Sequence, residues 1–470
     1  MLSAGWAWGL GAPLAFLLAF ANGANDIANS MGTAVGARAM TMRQALLAGA
    51  AFEFISSMAI GPFVASKIAS GQLHAEAFDA TPTTFALVML SALAGAGSTT
   101  FLATLYGYPI SATHGVISGI IACSLCTGLP NTLDMSGFEF TLVGWVASPV
   151  VGMLAGMLVS VAIYKLITTA TNPQRAAVTR QPVLLTLTSA VSCLFLLLKG
   201  PPFVTQVATG RAWLAVLLAL GGGLVVTAIH AVVRGLLQSR AQRLYDEEGK
   251  AERGNAGTQL STLGPSNQLS TLDHKDEPEP AALSRVPSFN ESKGAIDALE
   301  RPFVPLLIVA GLTVALAHGA NDVGNAVGPL AVVLSIATDG KVVSTAEIPT
   351  GVLLLGAVGF VLGILMIGSR TISTVGSKIT ALTPQRSFSS QIGAAIAVLS
   401  SSVLGLPVST SHCLVGAVFG VTLAEKICGV PDVDVDVGTL KKIVIGWVVT
   451  IPLAAAVAVC AYFPLSWIFL

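Results

Sequence analysis

The sequence predicts an all-α, polytopic membrane protein of about twelve transmembrane helices, arranged as two inverted repeats with Pro-broken or re-entrant helical segments. Three observations indicate this fold: a composition poor in charge, a series of long apolar runs, and two motifs that each occur twice. Of the 470 residues, 53% are hydrophobic and 10% are charged, and the mean hydropathy is +0.78. A soluble protein carries about 25% charged residues. The composition therefore excludes a soluble enzyme, a nucleic-acid-binding protein and a disordered chain.

The apolar runs give the number of predicted spans. A bilayer crossing needs about 20 mostly apolar residues, and twelve such runs occur. Their centres lie near Leu14, Glu53, Leu93, Ile117, Met153, Leu194, Leu218, Ala310, Val358, Ala397, Val418 and Ala455. The fourth, tenth and eleventh runs are short or follow a proline. No basic segment precedes the first run, so we expect a span there and not a secretory signal.

The distribution of basic residues predicts the orientation. With the N-terminus outside, the inside connections carry eleven Lys or Arg residues and the outside connections four. Positive charge marks the cytoplasmic connections of membrane proteins. Both termini are therefore predicted outside, with the plasma membrane as the expected location.

The connection between the halves, residues 235–302, is then cytosolic. It contains the acidic, proline-interrupted stretch DHKDEPEPA, which cannot bury enough apolar surface to fold alone. A disordered linker is the expectation. Regulation, for example by phosphorylation of Ser284 or Ser288, is the alternative.

Two motifs recur in the same order. GANDIANS at Gly23 returns as GANDVGNA at Gly319, and YPISATHG at Tyr108 returns as LPVSTSHC at Leu406. The nearly constant offset indicates an internal duplication. The GAND motifs lie at the ends of the first and eighth predicted spans. Seven crossings separate them, and this odd number inverts one copy relative to the other, as in many secondary transporters. The predicted divisions are 1–170 (first repeat, spans one to five), 171–234 (two connecting spans), 235–302 (loop) and 303–470 (second repeat, spans eight to twelve).

The GAND motif places a flexible glycine, an amide and a carboxylate at membrane depth. Ionised carboxylates there are costly and usually functional. Helix capping by Asp26 and Asp322 is the alternative, but duplication, with Asn29 and Asn325 three positions on, favours ligand binding. Carboxylate and amide oxygens suit a hard cation such as Na⁺, or either Asp exchanges a proton. Glu53, unpaired in its run, is either functional or a protonated structural acid.

The second motif predicts an anion site. Proline ends one helix and is tolerated in the first turn of the next. The hydroxyls in these turns lie beside free backbone N–H groups and a positive dipole end, which attract anions; capping is again the alternative. They belong to Ser111, Thr113, Ser409, Thr410 and Ser411. His114 and His412 are packing residues or ligands. A Ser-His-Asp hydrolase is rejected, because no nucleophile elbow occurs.

Other polar residues complete the expected cavity. Near these motifs, no Lys or Arg lies in the centre of a predicted span. An anionic substrate must therefore be neutralised by amides, hydroxyls and a co-bound cation, which predicts cation coupling. Thr100 and Gln391 lie in apolar segments close to the second motif and are candidates to line the cavity.

The paired motifs GAND, PIS-x-TH and PVS-x-SH, with a long polar loop between the halves, resemble the inorganic phosphate transporter (PiT) family of Na⁺- or H⁺-coupled symporters. The resemblance covers residues 12–156 and 303–447 and implies twelve spans in inverted repeats, with phosphate and sodium sites where the repeats meet. The implied phosphate ligands are Ser111, Thr113, Ser409, Thr410, Ser411, Asn25 and Asn321. The implied Na⁺ ligands are Asp26, Asp322, Asn25, Asn321, Glu53, Gln391 and Thr100. Gln391 stands where some relatives carry Glu, which leaves the ion stoichiometry open. Ser411 replaces a commoner Thr, which is a chemically mild change.

The expected function is a cation-coupled symporter, most simply Na⁺-coupled, that imports inorganic phosphate by alternating access. It is not an enzyme and needs no cofactor besides the transported Na⁺ or H⁺. An H⁺-coupled phosphate or sulfate permease of the same fold, or a phosphate-sensing transceptor, is the alternative. The expected partners are phosphate, Na⁺ and the lipid bilayer, with nucleic acid excluded and a homodimer left open.

Overall fold

The computed structural model describes residues 3–62, 71–260, 298–343, 346–378, 381–404, 408–430, 433 and 436–470. These residues form fourteen α-helices, a 3₁₀ turn at Ala75–Phe78, a π turn at Tyr164–Thr168 and one isolated bridge between Leu73 and Leu133. The helices are α1 (Ala4–Gly36), α2 (Met42–Ala59), α3 (Pro82–Leu105), α4 (Ala112–Cys126), α5 (Met135–Ile163), α6 (Pro173–Lys199), α7 (Pro202–Ala208), α8 (Ala212–Leu260), α9 (Phe303–Asp339), α10 (Thr350–Ile367), α11 (Ser369–Lys378), α12 (Pro384–Leu404), α13 (Thr410–Ile427) and α14 (Val437–Phe469).

Each of the twelve predicted span centres lies within one of these helices. Eight helical segments in the described part of the chain are long and apolar enough to cross a membrane. They are Ala4–Gly36, Pro82–Leu105, Met135–Thr168, Pro173–Lys199, Ala212–Leu236, Phe303–Asp339, Thr350–Ile367 and Leu440–Phe469. The predicted class, an all-α membrane protein with several spans, is therefore confirmed.

The chain divides into a large unit, Met1–Gly223 with Ile296–Leu470, and a small one, Leu224–Ala295. The predicted disordered loop needs a correction at its start, because α8 continues past residue 235 to Leu260. Leu, Gln, Arg, Ala and Glu dominate this stretch, and all of them favour helix. Residues 261–297, with Ser284 and Ser288, lie outside the described residues.

Helices α1 and α9, which carry the two GAND motifs, pack against each other. Helix α1 also contacts α3, α10 and α11, whereas α9 also contacts α2, α6 and α12. The helix pair α3 and α4 packs against α14, and the pair α12 and α13 packs against α5. Each pair therefore packs on a helix from the other half of the sequence, and α1 and α9 contact both halves.

Both GAND motifs lie inside unbroken helices, not at the ends of spans as the sequence indicated. Their glycines permit close approach of neighbouring backbones. A Cβ atom on Gly23 would lie 2.6 Å from the carbonyl oxygen of Phe360, and one on Gly319 would lie 2.8 Å from the Cα of Glu53. Small residues at helix contacts allow such packing in membranes. The glycines therefore serve the α1–α10 and α9–α2 contacts, and the expectation of local flexibility is wrong.

Substituting Gly23 tests this packing. We expect Gly23→Ala to lower stability by about 1–3 kcal/mol, because the new methyl group forces the α10 backbone away. Gly9→Ala on the same helix is the matched control, since a Cβ there meets nothing within 4 Å, and Ala favours helix. The thermal unfolding midpoint of the purified protein in detergent measures both variants. Equal midpoints would contradict the packing role of Gly23.

Candidate functional site

A cluster of four buried ionisable side chains lies where α1, α2 and α9 meet. The Nε2 atom of His318 lies 3.2 Å from Oδ2 of Asp26 and 2.9 Å from Oδ2 of Asp322. Its Nδ1 atom lies 3.1 Å from Oε2 of Glu53. These are ion-pair contacts whose angles fall outside strict hydrogen-bond geometry. Both Asp residues and Glu53 are thus brought together, and Glu53, which the sequence left unpaired, contacts an imidazole.

The protons of this cluster follow from its geometry. Both ring nitrogens of His318 face carboxylate oxygens, and an unprotonated nitrogen facing an ionised carboxylate would be repelled. A proton therefore lies at each of the two nitrogen contacts, on the ring or on the acid. With these two protons and no others, three acids and one imidazole would carry a net charge of −2. The site therefore presents several carboxylate oxygens close together, and such oxygens suit hard cations.

Sequence reasoning missed His318, although two signals were present. It precedes Asp322 by four positions, so that both side chains lie on the same face of α9. The first copy of the motif has Asn22 at the equivalent place, and a difference between otherwise similar copies marks a position with its own role.

Hydrogen bonds connect each GAND helix to the hydroxyl motif of the other half. The Asn29 amide nitrogen lies 2.8 Å from Oδ1 of Asp26, 3.1 Å from Oγ1 of Thr410 and 2.8 Å from Oγ of Ser411. The Ser411 hydroxyl is itself 3.3 Å from the same oxygen of Asp26.

The second half repeats this arrangement. The Asn325 amide donates to Oγ1 of Thr113 at 3.1 Å. The predicted cation ligands of α1 are therefore one hydrogen bond away from the predicted anion ligands of α13, and α9 has the corresponding link to α4.

The first turns of α4 and α13 contain the predicted anion ligands. Ser111 and Ser409 are the N-caps, and their hydroxyls accept hydrogen bonds from the backbone N–H groups of His114 at 3.3 Å and His412 at 3.4 Å. Capping, the alternative that the sequence left open, is thus found for these two serines. Pro407 of the second motif lies outside the described residues. Two helix N-termini, one from each half, reach the site with their free N–H groups.

The two histidines of this motif pack in an aromatic stack. The rings of His114 and His412 lie 4.6 Å apart, centre to centre. His114 packs on Trp145 at 3.9 Å and His412 on Trp447 at 3.8 Å. The stack thus brings the first turns of α4 and α13 into contact through their histidines. The packing interpretation of both histidines therefore accounts for their contacts.

The asparagines of the GAND motifs form hydrogen bonds with the helix pair α3–α4 and with the helix pair α12–α13. The Asn25 amide nitrogen donates to Oγ1 of Thr104 and to the carbonyl of Tyr108, both at 2.9 Å, and its carbonyl accepts from the N–H of Ile110 at 3.0 Å. The Asn321 amide donates to Ser402 at 3.1 Å. To bind a ligand, the Asn25 side chain would have to replace one of these hydrogen bonds by a contact with the ligand.

Gln391 borders the site, whereas Thr100 lies one helical turn before Thr104, the residue that bonds Asn25. The Gln391 amide nitrogen lies near three oxygens of α1: the carbonyls of Asn29 and Ser30, at 3.0 and 3.1 Å, and Oγ1 of Thr33 at 2.8 Å. Among the described residues, neither Oε1 of Gln391 nor Oγ1 of Thr100 has a hydrogen-bond partner. Both oxygens are buried and remain available to a ligand.

A bundle of apolar helices with buried acids and two opposed helix N-termini at its centre defines a multi-pass membrane transporter. The chain belongs to the phosphate transporter family, whose sequence model matches residues 22–458. This confirms the resemblance to phosphate transporters, and the members of this family are transporters and not enzymes.

Individual proteins similar to this chain are also named as phosphate transporters or permeases. The chain is 33% identical to the chloroplastic inorganic phosphate transporter 2-1 of Arabidopsis thaliana, over 97% of this chain and 70% of that one. It is 30% identical to a Haemophilus influenzae protein provisionally named a phosphate permease, over 99% of this chain and 98% of that protein. A solved structure described as "The sodium-dependent phosphate transporter" is 33% identical, with a TM-score of 0.76, and the match covers 98% and 99% of the two chains.

The oxygens around the Gln391 amide could surround a cation, and a carboxylate at this position tests that idea. A Glu at this position would point a carboxylate at the carbonyls of Asn29 and Ser30, and only a cation or a proton removes that repulsion. We expect Na⁺, relative to choline, to raise the thermal midpoint of Gln391→Glu. A Na⁺ concentration ten times the Kd would stabilise this variant by about 1.4 kcal/mol.

Gln391→Met is the control for this experiment, because it fills the same space without a carboxylate. An equal response of the two variants to Na⁺ would contradict the idea that these oxygens can surround a cation.

Proposed function

We propose that the chain is a Na⁺-coupled symporter that imports inorganic phosphate by alternating access. The observation that carries this proposal is the position of Asn29, whose amide lies within hydrogen-bond distance of Asp26 and of Ser411. A cation at Asp26 and an anion at Ser411 would therefore be near neighbours. The likeness to a solved structure that is described as a sodium-dependent phosphate transporter supports the choice of Na⁺.

The proposed phosphate site lies between the first turns of α4 and α13. Thr113, Thr410 and Ser411 offer hydroxyls, and the two helix N-termini contribute N–H groups and positive dipole ends. Ser111 and Ser409 belong to the proposed ligands through the helix starts that they cap. Phosphate can donate a hydrogen bond, whereas sulfate cannot, and the acids nearby would accept it; this favours phosphate over sulfate.

The proposed Na⁺ ligands are the carboxylates of Asp26 and Asp322, with Glu53 as a third acid. Oxygen ligands suit this hard cation. The free oxygens of Gln391 and Thr100 are proposed as further ligands, and the amides of Asn25 and Asn321 would contribute to both sites. Cations at the acids would reduce the net negative charge that repels an anion, and so the two substrates would bind together.

The motif pairs also support a proposed architecture of twelve spans in two inverted repeats. In it, α1 corresponds to α9, α2 to α10, and the pair α3 and α4 to the pair α12 and α13. The divisions are 1–170, 171–234, 235–302 and 303–470, with the cytosolic loop now beginning after Leu260. Both termini would face the outside of the plasma membrane, and a homodimer is a further proposal. Rocking of the two repeats would expose the site to each side in turn.

Uptake of labelled phosphate into proteoliposomes tests the function. An inward Na⁺ gradient should drive uptake, and replacement of Na⁺ by choline should abolish it. Uptake that follows an imposed pH gradient and ignores Na⁺ would establish the H⁺-coupled alternative. Uptake that ignores both gradients would contradict symport.

Substitution of the GAND acids tests the cation site. We expect Asp26→Asn and Asp322→Asn to lower Na⁺-driven uptake by at least about 10- to 100-fold, since each loses a charged ligand worth about 1.5–3 kcal/mol. Both variants should remain folded, as judged by size-exclusion chromatography. Ser118→Ala is the control, because its hydroxyl bonds within α4, to the Gly115 carbonyl at 3.1 Å. Unchanged Na⁺ dependence in both Asp variants would refute the assignment.

A further inference from the structure

One imidazole is shared by three carboxylates from three helices. His318 and Asp322 belong to α9, Asp26 to α1 and Glu53 to α2, and each acid has an oxygen within 3.2 Å of a ring nitrogen. The ring also stacks on Phe360 of α10, with centres 5.7 Å apart and planes 19° from parallel. His318 is 0% exposed. Its ring is therefore held by contacts with all of these groups, and it is a basic group that cannot leave the site.

The first GAND motif has no histidine at the corresponding position. Asn22 occupies the place of His318 relative to the GAND motif. Gly319 packs on the backbone of Glu53, whereas Gly23 packs on that of Phe360. The second motif therefore has a His–Glu pair where the first has Asn and Phe. A single imidazole contacts the Asp residues of both copies.

A symporter must pass through two kinds of state, with and without its cargo. When cations are bound, they compensate the acids. After the cations leave, an uncompensated buried charge is strongly unfavourable, above all at membrane depth. A carrier that returns without cargo therefore needs compensation that does not leave with the cargo, and a basic side chain of the protein meets this condition.

We propose that His318 is the internal counter-ion that lets the carrier return without cargo. It offsets part of the charge of Asp26, Glu53 and Asp322 once the transported cations have left. The proposal rests on the coupled symport proposed above. His318 is thus a positioning residue for the acids and not a ligand of phosphate.

Two assays on His318→Gln in proteoliposomes test this role. Net uptake, driven by an inward Na⁺ gradient into vesicles without phosphate, requires return of the carrier without cargo. Exchange of labelled for unlabelled phosphate, with equal Na⁺ and phosphate on both sides, does not. We expect the variant to lose net uptake by at least tenfold and to keep exchange within about threefold of the original protein. Gln keeps a donor and most of the volume but not the charge.

The exchange assay also reports folding, because a misfolded carrier would lose both activities. His114→Gln is the matched control: this histidine is equally buried but packs on Trp145 and His412, so its substitution should change both rates in the same proportion. Proportional loss of both activities in His318→Gln, or no loss of net uptake, would overturn the proposal. Absence of Na⁺-driven uptake in the original protein would instead overturn the proposed function.

Discussion

The contact of one imidazole with three buried carboxylates is the interaction on which the rest of this structure depends. Acids at membrane depth are tolerated only with a counter-charge or a proton, and His318 meets Asp26, Glu53 and Asp322 at 2.9–3.2 Å. The cluster forms only if α1, α2 and α9 approach closely, and Gly319 makes the α9–α2 approach possible. The close packing of these three helices is therefore also what brings the ionisable groups of the site together.

In the proposed symport, the same cluster would let two kinds of ion bind in a small volume. Helix N-termini attract anions, yet those of α4 and α13 lie near buried carboxyl groups. Asn29 contacts Asp26 on one side and Thr410 and Ser411 on the other. Binding of a cation on one side of this amide therefore changes the electrostatic cost of an anion on the other. Coupling would follow from this proximity, without a long path through the protein.

Much of the fold could be predicted from the sequence. Apolar runs located the helices, and the motifs located Asp26, Asp322 and the hydroxyls of α4 and α13, because duplicated polar residues stand out in an apolar chain. The partner of Glu53 could not be predicted, since α2 and α9 are brought together by packing of distant segments. Proline and glycine suggested breaks in the chain, but the glycines of GAND serve close contacts in unbroken helices. The helical extension of α8 depends on local propensity, which the acidic, proline-containing composition further along the loop obscured.

The central claim is that cations bind at the GAND acids while the anion binds between the two helix N-termini. A crystal structure with Na⁺ and arsenate tests it most directly, because arsenate replaces phosphate and its anomalous scattering locates the anion. We expect the anomalous peak between Thr113 and Ser411, and Na⁺ in contact with Asp26 and Asp322. An arsenate peak away from both helix starts, or Na⁺ bound without either Asp, would contradict it.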